Sequence, residues 1–254
     1  MRLHNRVAIV TGAGSGIGEA TALLFAEEGA TVVLADVDEA GGKKTFAAIH
    51  GNGGKALFVQ ADVSKEEDAR RISDEAARAY GRVDILVNNA AAFVLKGFRA
   101  TVEDFEHSLR VNVIGTALCT KYAADYMKMN GSGGAIVNLG SISSWIAQPD
   151  FFVYSSTKAA IVQMTRNMAL DLAPFKIRVN CVCPGTIITA SSIRHITKMG
   201  LTLETFSAQE GAKAILNRVG SAREIAYPIL FLVSDESSYM TGTYLMVDGG
   251  FTSL

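Results

Sequence analysis

The stretch TGAGSGIG (residues 11–18) decides the fold of this chain, because it places four glycines at every second position directly after a short apolar run. That run, RVAIVTG, is rich in β-branched residues, and the following IGEATALLFAEEG has apolar residues at helical spacing before a glycine stop. The pattern predicts a strand, a glycine turn and a helix. The fingerprint G-x-G-x-x-G is absent as written, since Ile17 and Glu19 stand where its third glycine belongs, and no Walker loop follows.

The rest of the chain continues this alternation of strand-like and helix-like segments. Further strands are predicted in TVVLADVD, KALFVQADV, VDILVNNAA, GAIVNLGSIS, KIRVNCVCPG and TYLMVDGG. Helices are predicted between them at about 39–50, in SKEEDARRISDEAARAYG with Ser64 as N-cap, as one long helix in TVEDFEHSLRVNVIGTALCTKYAADYMKM, and at about 153–174 and 222–234. Strands that are apolar on both faces and alternate with helices indicate an α/β, Rossmann-like doubly wound parallel sheet, with helices on both faces and right-handed crossovers.

Residues 1–254 contain no repeat or linker, and this length is common for one α/β domain, so we expect a single dinucleotide-binding and catalytic domain. The segment at about 186–219 breaks the rhythm, being rich in Ser, Thr and Met between a strand and the next helix. Ligands bind at the carboxyl ends of the strands in such sheets, so we expect this segment to be a substrate lid.

The charge and apolar content of the chain indicate which kinds of binding partner to expect. The formal net charge is -1 and no long basic run is present, so we expect no nucleic-acid or membrane partner and a small-molecule ligand instead. The N-terminal apolar run is too short for a signal peptide and no 18-residue apolar segment occurs, which predicts a cytoplasmic protein. The three cysteines are interpreted as buried hydrophobes and the four histidines are scattered, so no metal site is expected.

The glycine turn lies at the start of a predicted helix, where backbone N–H groups and the helix dipole favour a phosphate. Glycines let the chain turn sharply and let a pyrophosphate approach the backbone. Asp36 ends the second strand about 20 residues after the loop, where a carboxylate can accept hydrogen bonds from an adenosine ribose. A 2′-phosphate would need Arg or Lys nearby, whereas Ser15, Asp36 and Val37 occupy those positions, so we predict NAD as the cofactor rather than NADP.

The spacing Thr11-Gly12-x-x-x-Gly16-x-Gly18 resembles that of the short-chain dehydrogenase/reductase family in its compact, single-domain form. The resemblance covers nearly the whole chain and continues, in order, through Asp62-Val63, Asn88-Asn89-Ala90, Asn112, Ser141, Tyr154-Ser155-Ser156-Thr157-Lys158 and Pro184-Gly185-Thr186-Ile187-Ile188-Thr189. One departure is Ala91, where the family usually has glycine in its Asn-Asn-Ala-Gly run.

The resemblance implies the catalytic roles. Tyr154 would be the general acid/base of an alcohol–ketone interconversion, and Ser141 would hydrogen-bond the same substrate oxygen. Lys158 would bind the nicotinamide ribose, while Asn112 would hold a water that links Lys158 to solvent; the alternative for Asn112 is a polar residue that stabilises a helix kink. The cofactor site implied by the resemblance and the glycine turn comprises Gly12, Ser15, Gly16, Ile17, Gly18, Asp36, Asp62, Val63, Asn89, Ala90, Tyr154, Lys158, Ile187 and Thr189.

The spacing of Tyr154 and Lys158 places them one helical turn apart on the same face. Lowering a tyrosine pKa by ~3 units needs about 4 kcal/mol. A cation about 4 Å away contributes roughly that much at an effective dielectric of ~20, so we expect Lys158 to lower the pKa of Tyr154. Such a pair can arise by chance, but this one falls 13 residues after Ser141, as in the family's active site.

Several substrate classes fit the residues around this site. The substrate-facing candidates are Ala92, Phe93, Ile142, Ser143, Gln148, Phe151, Ile188 and the lid around His195, Met199 and Phe206; the alternative for Met199 and Phe206 is helix packing. Gln148, Asp150, Arg194 and His195 are mixed here with aromatic residues. Their mixture permits a polyol, sugar or hydroxy acid, and also a steroid-like or acyl ketone. The alternatives are a 3-oxoacyl-(acyl carrier protein) reductase and a non-catalytic, NAD-sensing or scaffold protein. The resemblance and the apolar C-terminal stretch lead us to expect a homotetramer.

Overall fold

The computed structural model describes residues 1–198 and 200–254, without the side chains of Ser191, Arg194, His195 and Lys198. Seven strands form its main sheet: β1 (Val7–Thr11), β2 (Thr31–Asp36), β3 (Lys55–Gln60), β4 (Ile85–Asn88), β5 (Gly134–Leu139), β6 (Ile177–Pro184) and β9 (Tyr244–Val247). All pair in parallel, in the order β3-β2-β1-β4-β5-β6-β9. The predicted doubly wound sheet is confirmed, and its strand order reverses between β1 and β4, where such folds bind ligands.

Helices cover both faces of the sheet. They are α1 (Gly16–Glu27), α2 (Glu39–Gly51), α3 (Glu66–Tyr80), α4 (Val102–Leu109), α5 (Thr116–Asn130), α6 (Phe152–Leu172), α7 (Ala190–Lys198), α8 (Leu203–Gly211) and α9 (Ala222–Val233). Ala8 and Val10 of β1 pack into the core with α1 and α9, whereas Val7 and Ile9 pack into the core with α3 and α5. Because successive side chains of a strand point to opposite faces, both faces of β1 must be apolar, as its sequence is.

Two helix predictions are wrong in detail. The long helix predicted from Thr101 onward is interrupted by a π-helical segment, Arg110–Gly115, which separates α4 from α5. The predicted N-cap Ser64 lies outside α3, whose N-cap is Lys65. Ser64 instead donates its N–H and hydroxyl to Asp62, at 3.0 and 2.7 Å, because a short polar side chain competes well for local turn hydrogen bonds.

The segment expected to be a lid carries its own secondary structure. It contains β7 (Ile187–Ile188), α7 and α8, and β7 pairs with β8 (Gly220–Ser221) in a small second sheet. Met199 and the side chains of Arg194 and His195 lie outside the described residues. The lid role remains a prediction.

Candidate active site

The glycine loop between β1 and α1 takes a path that only glycine accommodates at several positions. Gly12 and Gly16 have left-handed backbones, with φ of +64° and +60°. A Cβ on Gly18 would lie 2.0 Å from the carbonyl oxygen of Gly12, and one on Gly14 would lie 2.9 Å from a carboxylate oxygen of Asp36. The loop is therefore a bare backbone cradle at the N-terminus of α1, and it fits the pyrophosphate of a dinucleotide.

The ends of β1 and β4 are tied together beside this loop. The hydroxyl of Thr11 accepts the N–H groups of Asn89 and Ala90, at 3.0 and 3.1 Å. The side-chain amide of Asn89 donates to the carbonyls of Thr11 and Gly12, at 2.9 and 3.1 Å. Asn89 and Ala90 thus lie where the sequence expected them, at the loop, and Asn89 holds the loop in place.

Asp36 is fixed against the glycine loop. Its two carboxylate oxygens accept the N–H of Gly14, at 2.7 Å, and the N–H of Asp38, at 2.9 Å. The next residue, Val37, is exposed. A carboxylate held here, at the end of β2, fits the ribose hydroxyls predicted from the sequence.

The remaining predicted cofactor residues surround the same edge of the sheet at different depths. Thr189 packs on the loop, since a Cβ on Gly16 would lie 3.1 Å from its side chain. Asp62 and Val63 follow β3, Ser15 is the N-cap of α1, and Ile187 lies in β7. Ile17 packs against the apolar core, so its side chain contributes to the seating of α1.

Tyr154 and Ser141 meet at the carboxyl end of β5. Ser141 is the N-cap of a short 3-10 turn that follows β5, and its hydroxyl accepts the N–H of Ser143 at 3.1 Å. The same hydroxyl lies close enough to the phenol of Tyr154 on α6 to lower its pKa. One turn further along α6, the ammonium of Lys158 donates to the carbonyl of Leu139, at 2.6 Å, and lies 5.6 Å from the centre of the Tyr154 ring. Three of the four predicted catalytic side chains, Ser141, Tyr154 and Lys158, therefore form one cluster.

Burial sets the ionisation of this cluster. Tyr154 is 7% exposed and Lys158 is 3% exposed. Burial raises the pKa of Tyr154 above its ordinary value, and the hydroxyl of Ser141 opposes this increase. Burial also lowers the pKa of Lys158, to about 8. The expectation that Lys158 lowers the pKa of Tyr154 is wrong for this arrangement, in which the Leu139 carbonyl accepts a hydrogen bond from the ammonium.

Asn112 lies in the π-helical segment and links two other elements. Its amide oxygen accepts the N–H of Ala92 at 2.7 Å, and its amide nitrogen donates to the Ala92 carbonyl at 3.0 Å and to the Thr157 hydroxyl at 2.9 Å. Thr157 in turn donates to the carbonyl of Tyr154, at 2.8 Å. This geometry fits the alternative role, a polar residue at a helix irregularity, and the water link to Lys158 remains a prediction.

Sequence reasoning missed Thr157 and the Leu139 carbonyl. Thr157 lies inside the Tyr154–Lys158 motif, but its hydrogen bond with Asn112 depends on the π-helical segment. No residue pattern in the sequence predicts that segment. The Leu139 carbonyl could not be found from residue type, because every residue carries such a group.

The substrate-facing candidates are partly assembled around Tyr154. The rings of Phe93 and Phe151 contact its ring, with centroid distances of 4.2 and 5.9 Å. Ser143 donates to the side chain of Gln148, at 2.5 Å. Ile142 is buried in the turn after Ser141, while Ile188 and Phe206 lie in β7 and α8.

A family model described as enoyl-(acyl carrier protein) reductase matches residues 12–252. A Thermotoga maritima protein named as an uncharacterized oxidoreductase is 40% identical over 255 residues, with 100% of both chains covered. The chain belongs to the short-chain dehydrogenase/reductase family. This short-chain dehydrogenase/reductase is also 39% identical to cis-4-hydroxycyclohexanecarboxylate dehydrogenase of Sinomonas cyclohexanicum, covering 98% of this chain and 97% of that one. It is 38% identical to glucose 1-dehydrogenase 2 of Bacillus subtilis, covering 98% and 96%.

Its relatives are thus named oxidoreductases and dehydrogenases, and the dehydrogenases of the family use nicotinamide cofactors. Among the described residues, no helix combines the length and the apolar character needed to cross a membrane. The described part of the chain also contains no group of three or more His, Cys, Asp or Glu side chains placed to hold a metal ion.

Proposed function

We propose that this chain is an NAD(H)-dependent oxidoreductase that interconverts a secondary alcohol and a ketone, with Tyr154 as the general acid/base. The main support is the buried pair of Tyr154 and Ser141 at the carboxyl end of β5, with Lys158 one helical turn away along α6. A proton donor and a second hydrogen-bond donor that converge on one point are what a substrate carbonyl oxygen requires.

In ketone reduction, Tyr154 donates its proton to the carbonyl oxygen. Burial raises its pKa, so the phenol holds that proton at neutral pH. The hydroxyl of Ser141 donates to the same oxygen and stabilises the charge that develops there. When bound, the nicotinamide supplies or accepts the hydride.

In alcohol oxidation, Tyr154 must instead accept a proton, and the raised pKa opposes ionisation of the phenol. An ammonium of Lys158 that turns from the Leu139 carbonyl towards the phenol would lower this pKa, since an opposite charge favours the phenolate. Oxidation of the alcohol is therefore expected to accelerate as the pH increases to about 8, where Lys158 begins to lose the proton that favours the phenolate.

The cofactor choice follows from the glycine loop and Asp36. The bare loop at the start of α1 would hold the pyrophosphate, and Asp36 would accept hydrogen bonds from the ribose hydroxyls. A 2′-phosphate on that ribose would be repelled by the carboxylate, so the cofactor is NAD. The residues after β3 and β4, together with Ile187 and Thr189, would complete the site.

The substrate is a polyol, sugar or hydroxy acid in our first assignment. The names of two relatives, for glucose and for a hydroxycyclohexanecarboxylate, support a substrate with a hydroxyl-bearing ring. The second candidate is a 3-oxoacyl-(acyl carrier protein) reductase, which shares a carrier-bound acyl substrate with the enoyl-(acyl carrier protein) reductase named by the matching family model but reduces a ketone instead of a C=C bond.

Absorbance at 340 nm tests the proposal, with NAD and with NADP, on a panel of cyclic and acyclic secondary alcohols, sugars, polyols and hydroxy acids. We expect NADH formation and a clear preference for NAD. A preference for NADP would refute the role of Asp36. Reduction of a 3-oxoacyl thioester with no activity on the panel would favour the acyl reductase, and NADH binding without any turnover would favour a sensor or scaffold.

A further inference from the structure

Three aromatic rings contact each other at the candidate active site. The ring of Phe93 lies 4.2 Å from that of Tyr154, centroid to centroid, with an interplanar angle of 48°. Phe151 stands edge-on to both, at 5.9 Å from Tyr154 and 6.1 Å from Phe93. We call Phe93 and Phe151 the aromatic wall. Such tilted and edge-to-face contacts are favourable, so the wall is a preferred arrangement of the three rings.

The aromatic wall remains open on one side. Phe93 is 55% exposed, although it contacts a tyrosine that is only 7% exposed. A large apolar side chain that is half open beside a buried ionisable group is typical of a ligand contact rather than of a packed core.

The backbone around the wall is anchored. Ala92, next to Phe93, exchanges two hydrogen bonds with the side chain of Asn112, at 2.7 and 3.0 Å. Phe151 is the N-cap residue of α6, the helix that carries Tyr154. Both phenylalanines are thus positioned by the elements that position the catalytic cluster.

The polar side chains nearest in sequence to the wall already have partners. Gln148 accepts the hydroxyl of Ser143 at 2.5 Å, and Asp150 is paired with Arg99 at 3.3 Å. A polyhydroxylated substrate would have to compete with these partners for hydrogen bonds. A hydrocarbon ring would gain by covering the open side of Phe93.

We infer that the aromatic wall is the specificity determinant of this site and that the preferred substrates are carbocyclic secondary alcohols and the matching cyclic ketones. This inference rests on the alcohol–ketone interconversion of the proposed function and replaces the polyol or sugar of its first substrate assignment with a carbocyclic ring. The ring of the substrate contacts Phe93 and Phe151, and its oxygen lies at Tyr154 and Ser141. On oxidation, the carbinol C–H bond breaks as a hydride is lost to NAD⁺ and the hydroxyl proton passes to Tyr154. The products are the cyclic ketone and NADH, with the proton on the tyrosine.

The test compares kcat/KM for cyclohexanol and for 2-propanol in the wild type, Phe93→Ala, Phe151→Ala and the control Phe98→Ala. Phe98 is 96% exposed and its ring stacks on Phe152, which is not part of the aromatic wall, so Phe98→Ala removes the same phenyl ring without truncating the wall. We expect the wild type to favour cyclohexanol by at least about tenfold. Each wall variant should lose about tenfold on cyclohexanol, mainly through KM, and less than about twofold on 2-propanol, while Phe98→Ala changes neither value.

The outcomes that would contradict the aromatic wall differ from the outcomes that would contradict the proposed function. A wild type that oxidises secondary alcohols without preferring the ring, or wall variants that lose the same factor on both alcohols, would overturn the aromatic wall and leave the proposed function standing. A wild type that is inactive on both alcohols and on the whole panel would contradict the proposed function and this inference with it. If Phe93→Ala does not fold, Phe93→Leu, which keeps an apolar side chain but removes the ring, takes its place with the same expected direction.

Discussion

At the scale of single residues, the burial of Lys158 opposes the positive charge that its proposed catalytic role requires. It is an ammonium in a site that is almost fully closed to water, hydrogen-bonded to one backbone carbonyl. Its pKa falls to about 8 because burial penalises the charged form. The proximity of Tyr154 could be predicted from the spacing of the motif, but the competing carbonyl of Leu139 and the depth of the site could not.

This depth gives Lys158 a measurable effect on stability. Between pH 8 and 10.5 the unfolded chain keeps a proton on this lysine that the folded chain has lost, so the free energy of unfolding rises with pH. We expect the wild type to gain roughly 2 kcal/mol relative to Lys158→Met between about pH 7.5 and 9.5 in urea unfolding. The exposed Lys55→Met is the control and should follow the wild type. Parallel curves for the wild type and Lys158→Met would show that the lysine is not perturbed.

Asp36 and Val37 give a second prediction at this scale. The double variant Asp36→Ser, Val37→Arg removes the carboxylate that repels a 2′-phosphate and adds a guanidinium that binds it. We expect the ratio of kcat/KM for NAD to that for NADP to fall at least about a hundredfold, equal to about 2.7 kcal/mol. Asp38→Ser is the matched control, since Asp38 caps α2 and serine caps equally well. An unchanged ratio in the double variant would remove Asp36 from the cofactor site.

At the scale of elements, the glycine loop is the feature that the sequence specifies most strongly. Gly18→Ala would place a Cβ 2.0 Å from the Gly12 carbonyl, which has no room to move without shifting the loop. We expect a loss of about 3 kcal/mol in the free energy of unfolding and at least a tenfold weaker binding of NADH, followed by its fluorescence. Gly51→Ala is the control, because a Cβ there meets nothing within 4 Å. Unchanged NADH binding by Gly18→Ala would contradict the assignment of this loop to the cofactor.

Strands with a clear apolar pattern were predicted well, whereas the π-helical break and two short helices were missed. The seven main strands are predicted because each is a short apolar run between glycines or polar turns, and both faces must be buried. The break between α4 and α5 was missed because residues 110–115 keep their helical pattern while the backbone widens into a π-helical segment around Asn112. The lid helices α7 and α8 were missed because each spans only nine residues, and α8 also has a weak apolar period.

At the scale of the whole molecule, large apolar and aromatic side chains remain on the surface of the isolated chain. Phe98, Met129, Leu170 and Tyr239 are examples. Association between copies would bury such side chains where they form a contiguous patch. We expect light scattering after gel filtration to give four times the chain mass of 27.0 kDa. A mass of one chain at micromolar concentration would contradict the expected homotetramer.

The proposed alcohol–ketone interconversion depends on Tyr154 acting as the proton donor and acceptor. The most direct measurement is kcat for the best alcohol of the panel in Tyr154→Phe, with NADH binding measured in parallel. Tyr126→Phe, which removes a tyrosine hydroxyl bonded to Asp74 on the surface, is the control. We predict that Tyr154→Phe binds NADH like the wild type and loses at least about a hundredfold in kcat, while Tyr126→Phe keeps full activity. A Tyr154→Phe variant that turns over within about twofold of the wild type would contradict the role of Tyr154 as the general acid/base.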